Sequence, residues 1–205
     1  MGIWDEEPKL EITEARAIIN GIEVKDGDII VLMKNSKEID RGTIKFCVYS
    51  DAEGFYDFYH IGFIVEWNDP NQFLPRTLVD AISEARAAGL EWEIIGCGDG
   101  KMVSWDSWDE LREKPKCEIS DGSVKINGIE VRDGDIITFI NRNLIVRQGR
   151  IRFGIYQDYG DSNRCWHLGF YVEWPDYDDD TLADALAWAE KKGWEWRIER
   201  GEGGE

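Results

Sequence analysis

Short runs of alternating polar and apolar residues cover much of the chain, and this period of two is typical of β-strands. The predicted strands are residues 29–33, 43–48, 60–67 and 91–95, with counterparts at 136–140, 150–155, 167–174 and 195–199. In the third strand, Ile61, Phe63, Val65 and Trp67 share one face, which we expect to lie in the core. His60, Gly62, Ile64 and Glu66 share the other face.

One helix is predicted between the third and fourth strands of each half. Leu78, Ile82 and Ala85 recur at helical spacing and form its buried stripe. Thr77 is placed as the N-cap, and Gly89 ends the helix at C′. The corresponding residues of the second half are Leu182, Leu186, Ala189, Thr181 and Gly193.

Two kinds of turn are predicted in each half. Asn20-Gly21 and Asn127-Gly128 lie between apolar residues, which indicates a tight hairpin because both turn positions need a positive φ. Asp26-Gly27-Asp28 and Asp133-Gly134-Asp135 are typical of a tight turn or a bulge. A calcium loop would need more oxygen ligands at defined spacing, so these segments are interpreted as turns.

The two halves are copies of one pattern. Residues 8–67 align without a gap with residues 115–174, and about 26 of 60 positions are identical. We predict a leader (1–7), repeat domain 1 (8–96), a linker (97–114), repeat domain 2 (115–200) and a disordered tail (201–205). Each repeat is predicted to fold alone.

The predicted fold is α+β and mainly β. Each repeat is expected to form a small, strongly bent, SH3-like β-barrel with one C-terminal helix and a closing strand. A ferredoxin-like domain is the alternative, but it would need two helices where the pattern contains one.

Charge narrows the class of partner. The chain carries 42 acidic and 24 basic residues, for a net charge of −18. Such a chain repels phosphate, so direct binding to nucleic acid or to an anionic membrane is disfavoured. A basic protein surface is favoured as a partner, although solubility alone would also account for the charge.

The four cysteines, Cys47, Cys97, Cys117 and Cys165, do not recur between the repeats. They are interpreted as thiols in a reducing compartment, with no metal site and no cofactor. Asp5-Glu6-Glu7 stands where a signal peptide would be basic, and no long apolar run is present, so a cytoplasmic location is expected.

Candidate catalytic residues are few. His60 and His167 fall at the same position of the two repeats, and each shares a strand face with Glu66 or Glu173. Six strand residues span about 20 Å, so direct pairing along the strand is excluded. We interpret both histidines as structural positions that contribute a hydrogen bond. No nucleotide, hydrolase or metalloprotease motif is present, and we predict that the protein is not an enzyme.

Two groups of residues are candidates for partner binding. Asp176, Asp178, Asp179 and Asp180 form the densest acidic patch in the chain, and they precede the second helix, where they also suit its dipole. Trp105 and Trp108 lie three apart in the linker, so a helical turn would place them on one side. They are interpreted as contacts between the repeats or, if exposed, as anchors for a partner.

The segment Gly21–Ile29 and its copy Gly128–Ile136 resemble the Gly-x-Glu-Ile-x-Glu-Gly-Asp-Ile signature of YopX-like phage proteins. The strands that carry Gly42-x-Ile44-x-Phe46 and Gly62-Phe63 are similar to the later strands of that family. Lys25 and Arg132 replace the usual aromatic residue. The resemblance implies a small β-barrel and a phage or mobile-element origin, and it brings no catalytic residues.

These observations together predict a non-enzymatic acidic binding protein. In its sharpest form, it inhibits a host nucleic-acid-binding or defence protein, such as a CRISPR or restriction nuclease, by occupying its basic surface in the manner of a DNA mimic. The alternatives are a small-molecule, nucleotide or peptide binding module, with a pocket between barrel and helix or between domains, and a structural virion component. The oligomeric state is not predicted.

Overall fold

A computed structural model describes residues 10–19, 22–51, 58–68, 76–96, 119–157, 166–175 and 179–201. Over these ranges the chain is mainly β, with two helices and a sheet curled into a half-barrel. The same order of elements occurs in both repeats.

The first repeat contributes β1 (Ile12–Ile19), β2 (Ile22–Lys25), β3 (Ile29–Lys34), β4 (Lys37–Asp51), β5 (Phe58–Trp67), β6 (Arg76–Thr77), α1 (Leu78–Ala87) and β7 (Glu91–Ile95). The second contributes β8 (Ile119–Ile126), β9 (Ile129–Arg132), β10 (Ile136–Asn141), β11 (Leu144–Gln157), β12 (Trp166–Glu173), β13 (Asp180–Thr181), α2 (Leu182–Lys191) and β14 (Glu195–Glu199).

Both sheets contain strands of both repeats. The large sheet has the order β14-β10-β11-β12-β5-β4-β3-β7, with β13 and β6 added to β12 and β5, and the small sheet has the order β2-β1-β8-β9. The repeats meet where β12 pairs with β5 and where β1 pairs with β8. The described strands of both repeats therefore contribute to one curled half-barrel.

The apolar core is also continuous between the repeats. Phe46 packs against Phe63 of its own repeat and against Phe170 of the second repeat, with ring centroids 4.7 Å and 6.2 Å apart. Phe170 in turn packs against Phe153 at 4.7 Å. Burial of such aromatic rings supplies a large share of the hydrophobic stabilisation of a small protein. The sequence expectation that each repeat folds alone stays a prediction; the contacts between the repeats favour a shared core. The boundaries between the repeats lie outside the described residues and stay a prediction.

The local predictions for helices and strands are confirmed. The closing strands cover the residues expected, and Gly89 and Gly193 follow the helices with φ of 66°. The Thr181 hydroxyl accepts a hydrogen bond from the Asp184 amide, as an N-cap does. Thr77 makes the same contact with Asp80.

The predicted turns are confirmed where they are described. Asn127 and Gly128 both have a positive φ, which the hairpin between β8 and β9 requires. Asp28 and Asp135 close the Asp-Gly-Asp turns by accepting the amides of Lys25 and Arg132 at 2.8–2.9 Å. These carboxylates are buried and serve the turn.

The expected core face of β5 is confirmed for Ile61, Phe63 and Val65, which are fully buried, while Trp67 is half-buried. The opposite face is buried as well, with His60 inaccessible and Ile64 5% exposed. This strand lies at the centre of the ten-stranded sheet, and its residues 59–65 are buried on both faces. Cys47 on β4 is half-buried, and Cys97, Cys117 and Cys165 lie outside the described residues.

Neither described helix has the length and apolar character needed to cross a membrane.

Candidate functional sites at the junction of the repeats

Two glycines bring the central strands of the two repeats together. Gly62 of β5 pairs with Gly169 of β12, and Phe170 pairs with Ile61. A Cβ atom on Gly62 would lie 2.5 Å from the carbonyl oxygen of Leu168, and one on Gly169 would overlap the carbonyl oxygen of Ile61. Because backbone atoms cannot move aside as a flexible side chain can, glycine is required at both positions.

Four aromatic side chains form a cluster at this crossing, which we call the junction cluster: Tyr49, His60, Tyr156 and His167. The two imidazole rings stack with centroids 3.9 Å apart and an angle of 7° between their planes. Tyr49 shares a hydrogen bond of 3.0 Å with Nδ1 of His167, and Tyr156 shares one of 3.1 Å with Nδ1 of His60. Each tyrosine thus bonds to the histidine of the other repeat.

The strand register explains how the histidines meet. Tyr49 lies opposite His60, and Tyr156 lies opposite His167, so each repeat supplies one tyrosine–histidine pair. The glycine two residues beyond each histidine carries no side chain on the same strand face. Both rings therefore have room to extend towards the crossing point, where they stack.

The burial of the junction cluster indicates a structural role. His60 and His167 are 0% and 1% exposed, so their rings do not reach a substrate in solution. The prediction that both histidines contribute a hydrogen bond is confirmed. Glu66 is exposed on the surface and Glu173 bonds to Arg152, so neither forms an acid–base pair with a histidine. The sequence pattern alone did not identify Tyr49 and Tyr156 as site residues. The signal was available, because a tyrosine stands at the same position in both repeats.

The start of each helix also binds the other repeat. The Thr77 hydroxyl donates to the carbonyl oxygen of Trp166, and the Thr181 hydroxyl donates to that of Tyr59. The Tyr59 amide in turn donates to the Asp184 carboxylate at 3.1 Å. These capping residues therefore do two tasks: they satisfy their own helix and they hold a strand of the neighbouring repeat.

A polar groove of about 550 Å³ lies where β1 meets β8, and both repeats line it. Its walls carry three basic and three acidic side chains besides Ser123: Arg16, Lys25, Lys125, Glu14, Asp26 and Glu130. Lys125 pairs with Glu14 at 2.6 Å, and the Arg16 Nε donates to the Ser123 hydroxyl at 3.2 Å.

The groove has two further distinguishing features. Glu14 has a φ of 54°, which is uncommon for a residue other than glycine, and it lies at a register shift of β1 against β8. A hydrogen bond from Arg132, assisted by Arg200, lowers the pKa of the Glu130 carboxyl. These two arginines therefore favour the charged form of the Glu130 carboxyl.

The predicted acidic patch is only partly described. Asp180 accepts hydrogen bonds from the Trp174 indole at 2.8 Å and from Arg147 at 3.2 Å, and Arg147 lies 3.8 Å from the centroid of the Trp174 ring. Asp180 is therefore engaged within the protein, while Asp179 is exposed. The other predicted partner-binding residues, Asp176, Asp178, Trp105 and Trp108, lie outside the described residues.

A different group of carboxylates lies on the surface of the first repeat. The sequence pattern does not indicate this group. Glu66 is the last residue but one of β5 and is exposed; on the edge strand β7, Glu91 is exposed and Glu93 is half-buried. None of the three has an ion pair within the part of the chain that the structure describes. We call Glu66, Glu91 and Glu93 the first-repeat carboxylates.

No cluster of three or more potential metal ligands occurs among the described residues. Comparison with known protein families, with curated proteins and with solved structures gives no match. The function is therefore argued from this chain's own residues.

Proposed function

We propose that this protein is a non-enzymatic acidic binding protein whose partner presents a basic surface. The observation that carries the proposal is the set of first-repeat carboxylates, of which Glu66 and Glu91 are exposed and Glu93 is half-buried, and none of which has a neutralising cation among the described residues. Unpaired surface charge extends its field into solvent and steers a partner of opposite charge.

The strand geometry supports a defined charge pattern. Glu91 and Glu93 are two residues apart on one strand, which separates their Cα atoms by about 6–7 Å. Their strand pairs with β3 along its length, so the backbone that carries them is fixed. Charges held on a rigid strand bind a fixed basic pattern at a lower entropic cost than charges on a disordered tail.

The proposed partner is a host nucleic-acid-binding or defence protein, such as a CRISPR or restriction nuclease, whose nucleic-acid groove the carboxylates would occupy. The similarity to YopX-like phage proteins supports a phage or mobile-element origin and action in the host cytoplasm. From the sequence repeat we also propose that the chain is a duplication of one unit and that this unit is SH3-like. Asp176, Asp178 and Asp179 would extend the acidic surface, and Trp105 and Trp108 would anchor the partner.

Affinity capture from a host lysate, at low and at high salt, tests the proposal. Three baits are compared: the wild type, the triple variant Glu66→Gln, Glu91→Gln, Glu93→Gln, and a control with Glu173→Gln and Glu199→Gln. The control removes carboxylates that already pair with Arg152 and Arg197. We expect a basic protein that the wild type and the control capture at low salt and that the triple variant captures poorly.

Competition and kinetics then separate the specific proposal from general charge attraction. Duplex DNA should displace the captured protein, because both ligands would occupy one groove. In the triple variant the association rate should fall more than the dissociation rate rises, since steering acts on the encounter. Capture that is independent of salt, or that DNA does not compete, contradicts the proposal.

A second candidate function is the binding of a small ligand or peptide. The groove between β1 and β8 favours it, since both repeats line the groove and it carries charges of both signs. A zwitterionic ligand would match this lining. Native mass spectrometry of the protein as purified would reveal a retained ligand, and Ser123→Ala together with Arg16→Gln should release it.

A further inference from the structure

The hairpin of β10 and β11 exposes a run of apolar side chains. Leu144, Ile145 and Val146 are 71%, 60% and 43% exposed and are consecutive in the chain. They follow the turn at Arg142 and Asn143, both of which have a positive φ. Single exposed apolar residues are ordinary, whereas contiguous ones indicate an interaction surface.

The same segment has a free backbone edge. On one side, Leu144 and Ile145 pair with Asn141 and Ile140 of β10. On the other side, the pairing of β11 with β12 begins only at Arg150. None of the described strands pairs with residues 144–149 on that side. Gly149 is buried against Trp174, whereas residues 144–146 and Gln148 are exposed, so the backbone edge of this exposed stretch is available to an added strand.

The charge of this hairpin is opposite to that of the chain. Residues 136–157 contain four arginines and no acidic residue, in a protein of net charge −18. Arg147 and Arg152 are held by Asp180 and Glu173. Arg142 and Arg150, in contrast, have no carboxylate partner within the described ranges. The free edge is therefore both apolar and cationic.

The first repeat shows that the fold does not need this apolar tip. Its equivalent positions are Lys37, Glu38 and Ile39. Arg41 donates two hydrogen bonds to Glu38 and lowers the pKa of its carboxyl. The same hairpin is thus built with Lys-Glu-Ile in one repeat and with Leu-Ile-Val in the other, so packing does not explain the apolar residues at the first two positions.

We propose that the edge at residues 144–149 binds an extended acidic segment of a partner protein, which adds to the sheet as a further strand. Main-chain hydrogen bonds would supply affinity, and the exposed apolar side chains and Arg142 would select apolar residues alternating with carboxylates. Three apolar side chains bury a much smaller area than the roughly 800 Å² per partner that two folded surfaces bury in a stable complex. A short extended segment is therefore favoured over a second copy of this chain.

A fluorescent, end-blocked peptide of alternating Glu and Val is the probe, and a matched Lys/Val peptide is its control. We expect the wild type to bind the Glu/Val peptide saturably and in preference to the Lys/Val peptide. The double variant Leu144→Lys, Ile145→Glu introduces the first repeat's residues and should weaken binding by about tenfold or more. Ile39→Thr, at the equivalent hairpin, should leave binding unchanged.

Hydrogen exchange on the same samples locates the contact, since peptide should slow exchange of the amides in 144–149. The double variant should keep the wild-type melting temperature, and Leu144→Lys alone serves if it does not. Failure of the wild type to bind the Glu/Val peptide, or equal binding of both peptides, overturns the proposal. A dimer in sedimentation that the double variant abolishes would assign the edge to a second copy and overturns it as well.

Discussion

The two repeats have the same order of strands and helices, and they differ in the ion pairs that their charged side chains form. In the second repeat the Arg152 Nε donates to Glu173 at 2.7 Å, and its guanidinium lies 3.9 Å from Asp133. In the first repeat the equivalent residues are Lys45, Glu66 and Asp26, and no ion pair joins them. Arginine presents a planar fork that two carboxylates can share, which lysine does not.

This difference separates what the fold requires from what the surface is free to vary. Gly62, His60 and Tyr49 are identical to their counterparts in the second repeat. At the junction Gly62 and His60 meet their counterparts, and Tyr49 bonds to His167. The surface positions differ, which leaves unpaired carboxylates on the first repeat and an apolar, cationic edge on the second. The repeats thus share one structural core and present two different surfaces.

The largest expected loss of stability comes from adding a side chain at the glycine pair where the repeats meet. Gly169→Ala places a Cβ against the carbonyl oxygen of Ile61, and we expect a loss of about 2–3 kcal/mol or more in the free energy of unfolding. Gly154→Ala is the control, because its Cβ would meet no atom closer than 3.6 Å. Urea denaturation measures both. Equal stability of the two variants would contradict the close approach of the repeats.

The helix caps come next. Thr181→Val removes the N-cap and the hydrogen bond to the Tyr59 carbonyl, and we expect a loss of about 1–2 kcal/mol. Thr77→Val should have a similar effect, because its hydroxyl binds Trp166 in the same way. Denaturation of both variants sharpens the comparison of the repeats: a loss in only one of them would show that one cap acts within its own repeat.

The junction cluster should respond as a unit. Tyr49→Phe and Tyr156→Phe each remove one hydrogen bond to a histidine, and we expect about 0.5–1.5 kcal/mol for each. Because both bonds belong to one stacked cluster, the double variant should depart from additivity. A double-mutant cycle in urea measures this, and strict additivity would mean that the two halves of the cluster are independent.

The smallest effect is expected where the repeats differ. Glu173→Gln breaks a partly exposed pair with Arg152 and should cost at most about 1 kcal/mol. Glu66→Gln removes a carboxylate without such a pair and should leave stability unchanged within about 0.5 kcal/mol. Chemical denaturation of the two variants side by side checks the difference. A larger loss for Glu66→Gln would indicate an unrecognised role for that residue.

Local features could be predicted from the sequence because their causes are local. Asn127-Gly128 determines its own hairpin, and Thr181 and Gly193 delimit their own helix. The closing strands were found in the same way, from a glycine stop followed by alternation.

The sharing of strands between repeats could not be predicted in this way. The pairing of Gly62 with Gly169 joins residues far apart in the chain, and alternation within one strand does not identify its neighbour. The sequence did hold one signal, since β5 carries Gly62 and Ile64, two residues without polar side chains, on the face opposite the expected core. The sequence likewise places the two histidines at matching positions of the repeats, but it does not indicate that their rings stack across the repeats.

The claim that both repeats form one folding unit is tested most directly by dividing the chain. Residues 8–96 and 115–200 would be produced separately, and each would be melted and sized beside the whole protein. We predict that neither half unfolds cooperatively as a monomer, since each loses its neighbours in both sheets and half of the junction cluster. Two monomeric halves that each melt cooperatively, at the temperature of the whole protein, would contradict the account.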